Sequence, residues 1–189
     1  MTEQTADGIL NEAKGKMGKS VEHLQQELHS IRTGRANPAL IEHVMVDYYG
    51  TPTPLNQLSQ INTPEARLLV VQPYDRSQIA AVDKAIREAG LGLNPANDGQ
   101  LIRVPIPALT EERRKEYVRL VRQRAEDARV AVRNIRRDEL QRVNRQEKAG
   151  ELPADEARKV SDQMQKVTDS HVGRIDEIAQ QKEAEVMEV

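Results

Sequence analysis

The chain has no cysteine, no phenylalanine and no tryptophan, and only four tyrosines in 189 residues. Without cysteine there is no disulfide framework, no thiolate metal site and no cysteine nucleophile, which suits a reducing cytosol. Without large aromatics, any core must be packed by aliphatic side chains. Hydrophobic residues are 38% of the chain and charged ones 31%, so no core is large. No apolar run approaches the ~20 residues of a membrane span. The opening Met1-Thr2-Glu3-Gln4 also lacks the basic and apolar blocks of a signal peptide. A soluble, cytoplasmic protein with no membrane partner is expected.

Catalytic machinery is scarce as well. The stretch Ala13-Lys14-Gly15-Lys16-Met17-Gly18-Lys19-Ser20 satisfies a relaxed phosphate-loop pattern with Ala in place of the first glycine. A phosphate loop follows a buried strand and frees its backbone N–H groups for phosphate, but here Ala13 and Met17 belong to a helical stripe and no strand precedes them. His23, His29, His43 and His171 have no neighbouring pattern of a metal site or a nucleophile and base, and read as packed or half-exposed structural histidines. The acid pairs Glu111-Glu112 and Asp176-Glu177 diverge on a helix and read as capping and solvation. The expectation is a protein that is not an enzyme and uses no cofactor and no metal.

What the chain does have is helical rhythm. Leu10, Ala13, Met17, Val21, Leu24, Leu28 and Ile31 recur at spacings of three and four, one buried stripe. The rhythm returns at Val118, Val121, Ala125, Ala128, Val132 and Ile135, behind Thr110 as N-cap and the first-turn acids Glu111 and Glu112. A third stripe, through Ala157, Val160, Met164, Val167, His171, Ile175 and Ile178, follows the break at 149–153. Single-stripe helices are stable only when the stripe is covered, so the three predict one long antiparallel bundle. Between the first two the pattern changes. Val44, Val46 and Tyr48 alternate with polar residues, 67–72 reads as a buried strand, and 101–104 as a returning one. Residues 50–54 read as a turn, and 76–89 as a short helix ended by Gly90.

The expected fold is therefore α+β with two domains: a three-helix bundle formed by 1–31 and 108–189, and a small β/α/β domain, 38–104, inserted into it. The connecting hinge linkers fall at 32–37, loosened by Gly34, and 105–107, stiffened by Pro105 and Pro107.

A formal charge of −2 hides a division along the chain. Residues 111–145 hold twelve Lys and Arg against seven Asp and Glu, while 151–189 hold five against ten. A helical wheel of the second helix assigns Arg122, Arg129, Arg133, Arg136 and Arg142 to one flank, with Arg119 and Arg137 just beyond it. Asp127 and Asp138 take the opposite flank and only Glu126 intrudes. Charge alone leaves two readings open, a nucleic-acid surface or a solvated face paired with the acidic third helix. The preference for arginine over lysine favours phosphate, which the planar guanidinium binds bidentately. Tyr117 is the only aromatic in the three helices, so base stacking is a poor candidate, and a rod with a line of arginines suits the phosphates of folded double-stranded RNA.

Six separated segments resemble one known family. They are Ile31-Arg32-Thr33-Gly34-Arg35-Ala36-Asn37-Pro38, Tyr48-Tyr49-Gly50-Thr51-Pro52-Thr53-Pro54-Leu55, Leu91-Gly92-Leu93-Asn94-Pro95, Ile102-Arg103-Val104-Pro105, Leu109-Thr110-Glu111-Glu112-Arg113-Arg114-Lys115 and Ala128-Arg129-Val130-Ala131-Val132-Arg133-Asn134-Ile135-Arg136-Arg137-Asp138. In order and spacing they resemble the bacterial ribosome recycling factors over essentially the whole chain. The resemblance implies an L-shaped, non-enzymatic monomer that binds the post-termination ribosome with its bundle on the ribosomal RNA of the large subunit. Elongation factor G, hydrolysing GTP, then drives separation of the subunits and release of mRNA and deacylated tRNA. The resemblance also implies ribosomal-RNA contacts by Arg129, Arg133, Arg136 and Arg137, with Arg122 and Arg142 as further candidates. Arg32, Gly34 and Arg35, together with Pro105 and Pro107, would form the hinge. The alternative from a different class is a helical adaptor that binds other proteins through its bundle, its arginines serving only to solvate it.

Overall fold

A computed structural model describes residues 5–188. In chain order the elements are α1 (Ala6–His29), β1 (Met45–Tyr48), β2 (Thr51–Pro54), α2 (Leu55–Leu58), β3 (Ser59–Glu65), β4 (Leu68–Pro73), α3 (Ile79–Glu88), β5 (Ala96–Asn97), β6 (Ile102–Pro105), α4 (Glu111–Lys148) and α5 (Ala154–Met187). They form two compact units. One joins the chain up to Arg32 to Glu111–Glu188, and the other is Thr33–Thr110.

In the first unit the three stripes meet. Ile9, Ala13, Met17 and Leu24 of α1, Val121, Ala125 and Val132 of α4, and Met164 and Ile175 of α5 are all fully buried in one core. α1 starts where the Thr5 hydroxyl accepts from the Gly8 N–H at 3.2 Å, satisfying one of the free donors of the first turn. Side-chain pairs across the bundle show how the helices run. Arg122 meets Glu183, Arg129 meets Asp176 and Arg136 meets Gln165, so α5 descends as α4 ascends. Glu27 meets Arg124 and Glu12 meets Arg142, so α1 is also antiparallel to α4. No helix among the described residues is long and apolar enough to cross a membrane.

The second unit holds a four-stranded antiparallel sheet in the order β3-β4-β6-β5 and a separate β1-β2 hairpin. Leu69 and Val71 of β4 and Ile102 and Val104 of β6 alternate inward. They pack with Val46, Leu55, Val82 and Ile86 into a second core.

Three expectations need correction here. Residues 50–54 are not one turn: the turn is at Tyr49-Gly50, and Thr51–Pro54 is a strand in register with β1, Tyr48 opposite Thr51. Both turn residues have positive φ, 48° at Tyr49 and 83° at Gly50, and the Gly50 N–H donates to the Asp47 carboxylate at 2.8 Å. This is the geometry that suits a two-residue hairpin, and Pro52 and Pro54 are tolerated because a two-stranded ribbon consists of edges. Second, β3 has no counterpart in the sequence reading. Five of its seven residues are exposed, so it lacks the alternation of a half-buried strand, and a register shift between Asn62 and Glu65 breaks it further.

Third, the proposed linker at 105–107 lies inside the second unit. Pro105 pairs with Leu68 at the end of β6. Ile106 is buried in the core, and its N–H donates to the Arg67 carbonyl at 2.8 Å. The first linker is likewise shorter than 32–37, because the Ala36 N–H already donates to the Ala66 carbonyl at 2.7 Å. The chain crosses between units at Arg32/Thr33 and at Thr110/Glu111.

Candidate nucleic-acid interface

α4 is 38 residues long, about 57 Å at 1.5 Å per residue. Its apolar stripe faces inward, with Val121, Ala125, Ala128, Val132 and Val143 buried, and the charged remainder of its circumference is left outside. How each arginine is held there differs with its angular position.

On the flank toward α5, Arg122 forms a fork on Glu183, with Nε and Nη2 each 3.1 Å from a carboxylate oxygen. That contact raises the Arg122 pKa through the hydrogen bond to Glu183. Arg129 is half-enclosed, its side chain 24% exposed. It donates to Asp176 at 2.8 Å through Nε and to Glu126 at 3.0 Å through Nη1. Burial alone would lower its pKa, and the hydrogen bonds to Asp176 and Glu126 reverse the sign. Both arginines therefore spend much of their charge on carboxylates of the bundle itself, the paired-face alternative left open by the sequence.

Arg133, Arg136 and Arg137 are held more lightly. Arg133 is exposed, its Nη1 3.8 Å from Glu126. Arg137 is exposed beside its neighbour Asp138 at 3.3 Å, and exposed pairs of this kind carry little energy. Arg136 donates Nη1 to the amide oxygen of Gln165 at 3.1 Å, and no carboxylate lies within ion-pairing distance of it among the described residues. Arg119, which the wheel put beside Arg137, is exposed and has no ion-pair partner among the described residues. Of the arginines on this side of α4, Arg119, Arg133, Arg136 and Arg137 are thus the least neutralised.

Arg142 does not belong to this stripe. It lies ten residues beyond Val132, about 280° round the helix at 100° per residue, on the flank toward α1. There its Nη1 is 2.9 Å from Glu12 and 3.4 Å from Glu139. Lys16 completes the cluster, 2.8 Å from Glu12 and 2.6 Å from Glu139, and Glu139 is only 4% exposed. Hydrogen bonds from Lys16 and then Arg142 hold the Glu12 carboxyl down to about 2. Arg142 serves the joint between α1 and α4. Asp176 also departs from expectation, since it is the acceptor for Arg129 and not simply a solvating acid. Gln165 and Glu183 were not singled out in the sequence. The acidic excess of 151–189 was the only signal for Glu183, and a neutral glutamine such as Gln165 gave none.

The rejected phosphate-loop stretch lies wholly within α1, with Ala13 and Met17 fully buried and Lys16 in the charge cluster. His171 is half-buried and donates Nδ1–H to the Val167 carbonyl at 2.7 Å, the structural role expected of it. Among the described residues no group of three His, Cys, Asp or Glu is placed to hold a metal ion. Of the hinge candidates, Arg32 ends the first unit while Gly34 and Arg35 begin the second. Gly34 has φ of +77°, and a Cβ there would sit 3.5 Å from the Leu109 side chain.

The sequence model of the family described as ribosome recycling factor matches residues 24–187. A ribosome-recycling factor of Geobacillus sp. (strain WCH70) is 57% identical over 181 residues, 96% of this chain and 98% of that protein. The ribosome-recycling factor of Bacillus subtilis is 52% identical over the same shares of the two chains. Among solved structures, a solution structure of the ribosome recycling factor matches with a TM-score of 0.74 at 41% identity, covering 97% of this chain and 98% of the other. A model of the T. thermophilus ribosome recycling factor, described with E. coli elongation factor G on the E. coli post-termination complex, matches with a TM-score of 0.64. It is 45% identical, covering 97% of this chain and all of the other. With a family match across most of its length and relatives more than half identical over nearly all of it, the chain belongs to the ribosome recycling factor family.

Proposed function

We propose that this protein is a cytoplasmic ribosome recycling factor that binds the post-termination ribosome and, with elongation factor G and the GTP hydrolysed by that partner, separates the subunits. It performs no bond chemistry itself. Its task is to bind and transmit motion. One observation carries the site assignment: on a single rigid helix, Arg133, Arg136 and Arg137 present guanidinium groups that no strong carboxylate contact claims. Such groups contact RNA phosphates without first giving up a strong internal salt bridge, and their placement within about one turn of the helix lets them meet neighbouring phosphates together. Arg129 and Arg122 border the contact and contribute less, because Asp176 and Glu183 already hold them. Gly34 lies just past the first crossing between the units, in a left-handed conformation that glycine adopts without strain.

The test is subunit splitting of post-termination ribosomes with elongation factor G and GTP, comparing wild type with Arg133→Ala and Arg136→Ala. Each substitution is expected to weaken ribosome binding about tenfold while leaving circular dichroism unchanged. Wild-type binding and splitting by both variants would refute the site. Binding should also fall steeply with salt, as release of counterions requires; a weak salt dependence would favour a helical adaptor docked through apolar contacts.

A further inference from the structure

The three α4 arginines that reach α5 meet three different acceptors. Arg122 meets the carboxylate of Glu183, Arg129 that of Asp176, and Arg136 the neutral amide of Gln165. Only the last arrangement orients a guanidinium without cancelling its charge. An amide offers an acceptor oxygen at one end and a donor nitrogen at the other, and something must decide which end faces the arginine. Here Asp169 decides. One turn along α5, its carboxylate accepts from Gln165 Nε2 at 2.8 Å, which leaves Oε1 for Arg136 Nη1 at 3.1 Å. Reversal of the amide would set N–H against N–H and N–H-accepting oxygen against carboxylate, so Asp169 locks the useful orientation. Gln165 and Asp169 are both exposed while Arg136 is half-buried, so the relay lies on the solvent side of the guanidinium's base.

We propose that Gln165, fixed by Asp169, is a positioning residue for Arg136, directing its guanidinium toward ribosomal-RNA phosphate while leaving its positive charge available. The proposal rests on the assignment of Arg136 as an RNA contact. Holding the long side chain in one direction before binding removes part of the ordering cost that an untethered arginine meets on contact. A carboxylate in place of the amide would hold it equally well but would compete with phosphate.

This contrast gives the test, made with the full chain by measuring affinity for post-termination ribosomes over a range of salt concentrations. Gln165→Glu is expected to weaken binding about tenfold and to flatten the dependence of log affinity on log salt by about one, as Arg136→Ala does. Gln165→Ala and Asp169→Ala are expected to weaken binding only about threefold with the salt slope unchanged, because the charge survives and only its direction is lost. In an Arg136→Ala background, Gln165→Glu should have no further effect. If Arg136→Ala weakens binding while Gln165→Glu binds like wild type, the positioning role is wrong and the RNA contact stands. If the glutamine variants lower thermal stability without moving affinity or slope, Gln165 is merely structural and the proposal falls. Wild-type binding by Arg136→Ala would instead remove the RNA assignment, and this inference with it.

Discussion

Arg136 and Arg142 lie six residues apart on α4 and put the same side chain to opposite uses. Arg142 is turned toward α1, where it shares Glu12 and the nearly buried Glu139 with Lys16 in a closed cluster of two acids and two bases. Arg136 is turned toward α5 and solvent, where it meets an amide. On a helix of 3.6 residues per turn, six residues move a side chain through about 240°, enough to take it from one neighbouring helix to the other. The difference teaches that arginine content does not measure an RNA surface. What matters is whether a guanidinium arrives at the surface already neutralised.

The widest separation between the two flanks should appear in ribosome affinity. Arg133→Ala combined with Arg136→Ala is expected to reduce affinity about a hundredfold, whereas Arg142→Ala should leave it within about twofold of wild type. Equal losses from both variants, measured by co-sedimentation with ribosomes at fixed salt, would erase the distinction.

Thermal stability should reverse the ranking. Glu139→Ala leaves Lys16 and Arg142 without their shared buried acceptor, at an expected cost of about 2–3 kcal/mol. Tm should therefore fall by roughly 5–10 °C. The Arg133 and Arg136 variants should melt within about 1 °C of wild type, and a calorimetric scan of the three proteins decides the matter. Arg129→Ala should sit between the two classes. It loses a half-enclosed side chain and its pair with Asp176, so a stability loss of about 1 kcal/mol is expected together with an affinity loss of a few-fold. Loss of affinity alone would move Arg129 into the RNA-facing group.

The smallest expected effect is a pH dependence confined to the α1 side. The Glu12 carboxyl lies at about 2 in the folded protein against an ordinary value of 4.5. A depressed carboxylate contributes stability that is complete above its unfolded value and is lost as pH falls through the folded one. The Tm gap between wild type and Glu12→Gln should therefore be open near pH 6 and closed by about pH 2. A gap that persists at the acid end would mean that the Glu12 contacts do not depend on its charge.

Much of this molecule is legible in its residues. The stripes at Leu10 to Ile31, Val118 to Ile135 and Ala157 to Ile178 announce three helices whose apolar faces need one another, and the structure buries those faces in a single core. The alternation at Val44, Val46 and Tyr48 announces β1, and Gly90 the end of α3. What escaped lacked a periodic signal. The exposed strand β3 has no buried face to alternate, and Pro52 and Pro54 concealed β2, since proline usually speaks against a strand. The linker assigned to Pro105 was misplaced for a related reason: proline marks a stiff segment whether that segment joins two units or closes a strand.

The candidate interface divides in the same way. Sequence by itself determined that α4 is basic, that α5 is acidic, that arginine outnumbers lysine on α4, and that the motif carrying Arg129, Arg133, Arg136 and Arg137 resembles that of the recycling factors. These are properties of composition, order and helical periodicity, which a chain possesses before it folds. Only the tertiary structure decided which arginines are spent and which remain free, because an ion pair depends on which residue of another helix comes within about 4 Å. Arg122 and Glu183 are separated by 61 positions in the chain, and Arg142 and Glu12 by 130. Contacts at such separations are set by the register in which whole helices pack. No local pattern around either arginine records that register.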